Sequence, residues 1–153
     1  MRFVVDSMLG KLAKWLRILG FDSIYARRME DRELITLAFR EKRILLTRDR
    51  RLSRNWIVKT VLVRSEFVEE QLCEVIKRLG LDMEKGLLSR CPLCNLPLIE
   101  IQKEEVKGRV PLFVYQTYNE FWRCDGCGRY YWEGTHWENI RKRVDGLKRR
   151  LGV

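Results

Sequence analysis

Residues 3–22, FVVDSMLGKLAKWLRILGFD, decide the fold. Phe3, Val4 and Val5 form a continuous apolar run that ends on Asp6, the pattern of a short strand buried on both faces. After Ser7 the period changes. Leu9, Leu12, Ala13, Leu16 and Leu19 recur at helical spacing until Gly20, which stops the helix.

Working outward, a second strand is expected at Ser23 to Ala26, and a second helix near Asp31 with Leu34, Ile35 and Ala38 inward. RILLT, residues 43–47, reads as a third strand that delivers Arg48 and Asp49 at its C-terminal end. KTVLV, residues 59–63, gives a fourth. Ser65 is expected to cap a helix carrying Val68, Leu72, Val75, Ile76 and Leu79 on one face, closed by Gly80. Strands alternating with helices at these lengths require crossover connections, hence an α/β fold with a parallel sheet flanked by helices. In such sheets ligands sit beyond the carboxyl ends of the strands.

The composition changes after Gly86, which predicts an α/β domain over residues 1–86 and a smaller element over 87–153. The second part holds CPLC at 91–94, CDGC at 124–127, a Val- and Ile-bearing stretch broken by Lys107-Gly108, and clustered aromatics. The ending GTHWENIRKRVDGLKRRL, residues 134–151, reads as a C-terminal helix with Trp137, Ile140, Val144, Leu147 and Leu151 inward and a basic outer face. Thr135 and Glu138 have capping-box spacing.

Cys91, Cys94, Cys124 and Cys127 supply two thiolates on each of two tight turns, and the 29 residues between the pairs are enough for a hairpin to bring the turns together. That is the pattern of a zinc ribbon with a closed structural site of four sulfurs. Iron on the same sulfurs and a redox dithiol are the competing readings. A closed site leaves no open position for substrate, so catalysis has to be sought elsewhere. Cys73, beside the apolar face of a helix, reads as an ordinary buried thiol.

The sequence has 31 Lys and Arg against 21 Asp and Glu, a formal charge of +10, which favours a polyanionic partner. A surface tuned for solubility gives the same balance. Charged residues make up 34% of the chain, which with the absence of a long apolar run excludes a membrane span and, with no signal peptide at the start, points to the cytoplasm. Lys11, Lys14 and Arg17 on the first helix and Arg48 and Arg51 beside Asp49 are candidate phosphate contacts. Phe121, Trp122, Tyr130, Tyr131, Trp132 and Trp137 could stack on unpaired bases or pack the ribbon. His136, the only histidine, could bind substrate, donate a proton or hydrogen-bond within the ribbon.

Asp6 and Asp49 fall where parallel strands end, and Asp31 opens the helix after the second strand. The three carboxylates are therefore expected on one edge. Clustered carboxylates repel one another unless a cation neutralises them, and hard oxygen ligands suit Mg²⁺ or Mn²⁺. Each also has a structural alternative: Asp31 is a good N-cap, and Asp49 could simply open a turn.

FVVDSMLGKLAKWLRILGFD, DRELITLAFREKRILLTRD (31–49), CPLC, CDGC and YYWEGTHW (130–137) together resemble the PIN-like ribonuclease domain with a zinc ribbon found at the C-terminus of Mut-seven exonucleases and in stand-alone prokaryotic proteins. The resemblance implies a PIN-like fold and metal-dependent cleavage of RNA, with Asp6, Asp31 and Asp49 on the family's acidic positions; RNA is the expected partner, with DNA as the alternative. A fourth acid common near the third is replaced here by Arg50, Arg51 and Leu52, leaving Glu30, Glu33 or Asp22 as stand-ins, or a site for a single metal ion that needs none. The rival readings are a non-catalytic RNA- or DNA-binding zinc-ribbon module and a zinc-stapled adaptor for protein partners.

Overall fold

A computed structural model describes residues 1–153 and divides the chain into two compact units, Met1–Asn95 and Leu96–Val153. The division falls beyond the composition change at Gly86. Its cause is the first cysteine turn, which is tied to the first unit. Arg17 donates from Nη1 to the carbonyls of Pro92 and Leu93, both at 3.1 Å, and Asn95 bonds to Asp22 and to the amide of Ser23.

The first unit holds four strands, β1 (Arg2–Asp6), β2 (Asp22–Ala26), β3 (Ile44–Thr47) and β4 (Thr60–Leu62), in the order β2-β1-β3-β4 with every pair parallel. The connections run through helices α1 (Gly10–Ile18), α2 (Asp31–Glu41) and the single turn α3 (Arg50–Ser53), and α4 (Val68–Leu79) follows β4. Phe3, Val4, Val5, Leu45 and Leu46 are fully buried, as central strands covered on both faces must be. Leu12 and Leu16 of α1, its C-cap Leu19, and Leu72 and Val75 of α4 are buried as well.

Gly20 ends α1 as expected, with φ at +92°. A side chain there would also overlap the carbonyl of Gly86 packed against it, so both backbone angle and space require glycine. Gly80 closes α4 in the left-handed conformation.

Three caps differ from expectation. Helix α2 begins on Glu30, whose amide is taken by the Glu33 carboxylate at 2.8 Å, so Asp31 is the first helical residue and carries no capping duty. Ser65 lies two residues ahead of the Phe67 N-cap of α4 and accepts the Phe67 amide, while carboxylates of Glu70 and Glu74 bind the approach to the helix. In the C-terminal helix the N-cap is Gly134 and no side chain caps it, so Thr135 and Glu138 form no capping box.

The amino edge of the sheet carries a nearly buried ion pair. Arg43, with a side chain only 4% exposed, grips both oxygens of Asp22 at 2.7 and 3.2 Å and also reaches Glu41 and the Phe3 carbonyl. Burial alone would raise the Asp22 pKa, but hydrogen bonds from Arg43, Asn95 and Arg2 outweigh it and hold the carboxyl well below its ordinary range.

The second unit is a three-stranded antiparallel sheet, β5 (Ile99–Ile101), β6 (Phe121–Arg123) and β7 (Tyr130–Tyr131), with a short helix α5 (Leu112–Thr117) and the long α6 (Thr135–Leu151). The stretch broken by Lys107-Gly108 contributes β5, a 3₁₀ turn at Lys103–Val106 and α5. Its core is Val106, Val114 and Phe121, too small to specify a fold unaided. Trp137, Ile140, Val144 and Leu147 are the buried stripe of α6.

Candidate active edge and metal centre

The two cysteine turns are built alike. In each, the residue four places after the first cysteine returns its amide to that cysteine's carbonyl, Asn95 to Cys91 at 2.9 Å and Gly128 to Cys124 at 2.8 Å. Both residues have positive φ, 64° and 71°, which glycine and asparagine tolerate best. The Sγ atoms of Cys91, Cys94, Cys124 and Cys127 lie within 4.8 Å of one another, close enough to share one metal ion. Cys91 and Cys124 are buried and Cys127 is exposed. Four thiolates so close would repel strongly without a cation, and soft sulfur donors suit zinc or iron over magnesium.

The carboxyl edge of the parallel sheet is organised by Thr47, the buried last residue of β3. Its hydroxyl donates to Asp6 Oδ2 at 2.8 Å and accepts the amide of Asp49 at 3.0 Å, so one side chain joins the exits of β1 and β3. The chain leaves β1 towards β2 on one side and β3 towards β4 on the other, so these exits flank the topological switch point. Asp6 Oδ1 accepts the amide and hydroxyl of Ser7, at 2.6 and 3.2 Å. The turn after Asp6 is pinned by Tyr25, which donates to the Ser7 carbonyl at 2.6 Å with its ring against Gly10.

Asp49 caps α3, its Oδ1 accepting the amides of Arg51 and Leu52 at 2.8 and 3.3 Å. The structural alternative for this residue is thus realised, yet Oδ2 accepts no hydrogen bond from the chain. Neither Asp6 nor Asp49 is paired with a cationic side chain. Asp31 opens α2 after the carboxyl end of β2 and meets the exposed Arg51 at 3.4 Å, and the expected cluster of Asp6, Asp31 and Asp49 is not closed around a common point. The four cysteines are the one group of three or more His, Cys, Asp or Glu side chains near enough to hold a common ion in this arrangement.

Among the stand-ins for a fourth acid, Asp22 pairs in register with Arg2 at the amino end of β2, the opposite edge from Asp6 and Ala26. It belongs to the Arg43 clasp and cannot join the other acids. Glu33 is engaged in capping and Glu30 is exposed at the N-cap of α2.

The basic candidates divide. Lys11 and Lys14 are exposed on α1. Arg17 has its guanidinium committed to the carbonyls of Ser23, Pro92 and Leu93. Burial lowers its pKa, opposed by the negative charge of Cys91 and Cys94 as thiolates. Arg48 is half-buried and leans towards the Arg64 carbonyl and Glu66, at 3.5 and 3.8 Å, whereas Arg51 is 86% exposed. His136 is exposed in the first turn of α6 and makes no hydrogen bond within the chain. Sequence reasoning passed over Thr47, Tyr25 and Arg43. The signal for Thr47 was a hydroxyl ending an otherwise apolar strand.

An α/β unit with acids at the carboxyl edge of a parallel sheet, followed by a small antiparallel unit and a four-cysteine cluster able to hold metal, defines the class. Residues 1–144 match the family model described as Mut7-C RNAse domain, and the chain belongs to that family. Searches of curated proteins and of solved structures returned no match. No helix is long and apolar enough to cross a membrane.

Proposed function

We propose that the protein is a metal-dependent ribonuclease of PIN-like fold in which Asp6, Asp31 and Asp49 hold Mg²⁺ or Mn²⁺, while zinc on the four cysteines is structural. Support at the family level comes from the match over residues 1–144. The single observation that carries the catalytic reading is the Thr47 bridge, which couples two anionic strand exits that no arginine or lysine neutralises. A charged carboxylate left without a cation beside a buried threonine is costly, and a divalent ion removes that cost. Hard oxygens from three aspartates match the chemistry of those ions.

Such an ion would acidify a water and offset charge on the cleaved phosphate and the leaving oxygen. The chain's own contribution is positional. Ser7 and Thr47 each donate to one oxygen of Asp6 and fix the carboxylate plane, and the α3 amides orient Asp49. Lys11 and Lys14, exposed on α1, would attract phosphate without reading bases.

The competing reading, a non-catalytic RNA- or DNA-binding module, draws on the capping role of Asp49. Capping occupies only Oδ1, which leaves the other oxygen available. The deciding experiment incubates labelled single-stranded RNA with wild type and Asp6→Asn, with Mn²⁺ and with chelator. Cleavage by the wild type alone, abolished by chelator, is expected. Equal products from both proteins, or none on a panel of RNAs, would reject the ribonuclease.

A further inference from the structure

The second unit contains an open cavity of about 420 Å³ bordered by α5, β7 and the first turn of α6. Its walls include Phe113, Tyr118, Tyr130, Trp132 and His136. The volume falls within the range of small-ligand sites, roughly 300–1,000 Å³. Tyr118, Tyr130 and Trp132 back onto the Val106, Val114 and Phe121 core and also line the cavity. Phe121 and Trp137 are buried for packing, whereas Phe113 is 67% exposed and His136 is also exposed.

Aromatic residues reach the cavity from α5, from β7 and the residue after it, and from the first turn of α6, a lining suited to a planar heterocycle over a flexible aliphatic chain. Polar atoms lie among them. Gly134 leaves room for the Trp132 indole Nε1 and, somewhat farther off, the Tyr118 hydroxyl, since a Cβ at that position would sit 2.8 and 3.5 Å from them. His136 contributes an imidazole with no partner in the chain. The helix that continues from His136 carries six basic residues, Arg141, Lys142, Arg143, Lys148, Arg149 and Arg150, against the acids Glu138 and Asp145. Its charge complements a phosphate backbone entering or leaving the pocket.

We propose that this aromatic pocket holds one unpaired nucleobase of single-stranded RNA, with the neighbouring phosphates along α6. The inference rests on the RNA-directed reading above and adds the recognition element. The rings stack on the base, the edge atoms of Tyr118, Trp132 and His136 meet its polar rim, and a paired base is excluded because its partner would have to be removed first.

The test uses the full zinc-loaded chain carrying Asp6→Asn, so that RNA survives. Binding of a short labelled single-stranded RNA is compared with the same backbone made abasic. The intact strand is expected to bind roughly ten- to a hundredfold more tightly. Phe113→Ala and His136→Ala, both at exposed positions, should weaken the intact strand and shrink the intact-to-abasic ratio while leaving abasic binding unchanged. Metal content and thermal midpoint establish that each variant is folded. Equal binding of the two strands, or an unaltered ratio in both variants, overturns the pocket. Cleavage by the wild type is scored separately. Base-dependent binding without cleavage would remove the nuclease and keep the pocket, and cleavage without base dependence would do the reverse.

Discussion

Thr47 donates its hydroxyl to Asp6 across 2.8 Å, from the last residue of one buried strand to the last residue of its neighbour. The same oxygen receives the amide of Asp49 at 3.0 Å, so a single fully buried side chain sets the spacing between two acids more than forty residues apart in sequence. Replacing it with valine keeps the volume and removes both bonds. Thr47→Val should cost about 1–3 kcal/mol, because the Asp49 amide loses its acceptor. It should also slow Mn²⁺-dependent cleavage on the order of a hundredfold by loosening the acids. Thr47→Ser should restore most of the rate. Cleavage by the valine variant at the wild-type rate would show that Thr47 merely supports the sheet.

The Asp22–Arg43 clasp gives a pH-dependent contribution of known sign. The folded-state pKa of Asp22 is depressed, so its contribution is complete above the ordinary carboxyl value of 3.8 and is lost as pH falls through the folded value. Asp22→Asn leaves a 4%-exposed arginine with Glu41 as its remaining carboxylate. Denaturant unfolding at neutral pH should show a loss of about 3 kcal/mol. The gap between wild type and variant should begin to narrow as pH falls through 3.8 and close as it passes the lower folded value. A gap that is absent at neutral pH, or that grows on acidification, would contradict the clasp.

How much of this was legible in the sequence depends on which residues set each feature. The strands and α1 announced themselves because burial on both faces and on one stripe leaves different apolar periods, as Val4-Val5 and Leu12-Leu16 show. The cysteine turns were legible because sulfur spacing is a local constraint. The carboxyl-edge position of Asp6 and Asp49 followed from strand direction alone. Caps were misread where two candidates competed within a few residues, Glu30 with Asp31 and Gly134 with Thr135, since the choice depends on where the preceding loop releases the chain. The clasp at Asp22 and the attachment of Arg17 to the first cysteine turn were invisible, because both join segments distant in sequence through side chains that look like ordinary surface charge.

Metal on the four cysteines should govern the second unit, whose apolar core is small. The purified protein is expected to contain one equivalent of zinc. Cys91→Ser or Cys124→Ser, at the two buried ligands, should lower the content below half and abolish the cooperative thermal transition of this unit. The aromatic circular dichroism of the Trp122–Trp137 pair, with centroids 5.0 Å apart, reports it directly. A metal-free protein that keeps this signal and its transition would leave the cluster without a structural role.

Arg51 separates two uses of the acidic edge. Its guanidinium lies 3.4 Å from Asp31 and is 86% exposed, so the pair adds little to stability, about 0–1 kcal/mol. If Asp31 serves a divalent ion, Arg51 competes with that ion for the carboxylate. Arg51→Ala should then lower the Mn²⁺ concentration needed for half-maximal cleavage several-fold, with unfolding unchanged. If Arg51 serves RNA instead, the same variant should weaken RNA binding and flatten its salt dependence by about one phosphate contact, with the Mn²⁺ requirement unaltered. Titrations of metal at saturating RNA and of RNA at saturating metal distinguish the two. The Asp31→Asn variant provides the control, since it removes the competition and the ligand together and should raise the Mn²⁺ requirement where Arg51→Ala lowers it. A parallel shift in both variants would mean that the ion does not contact Asp31.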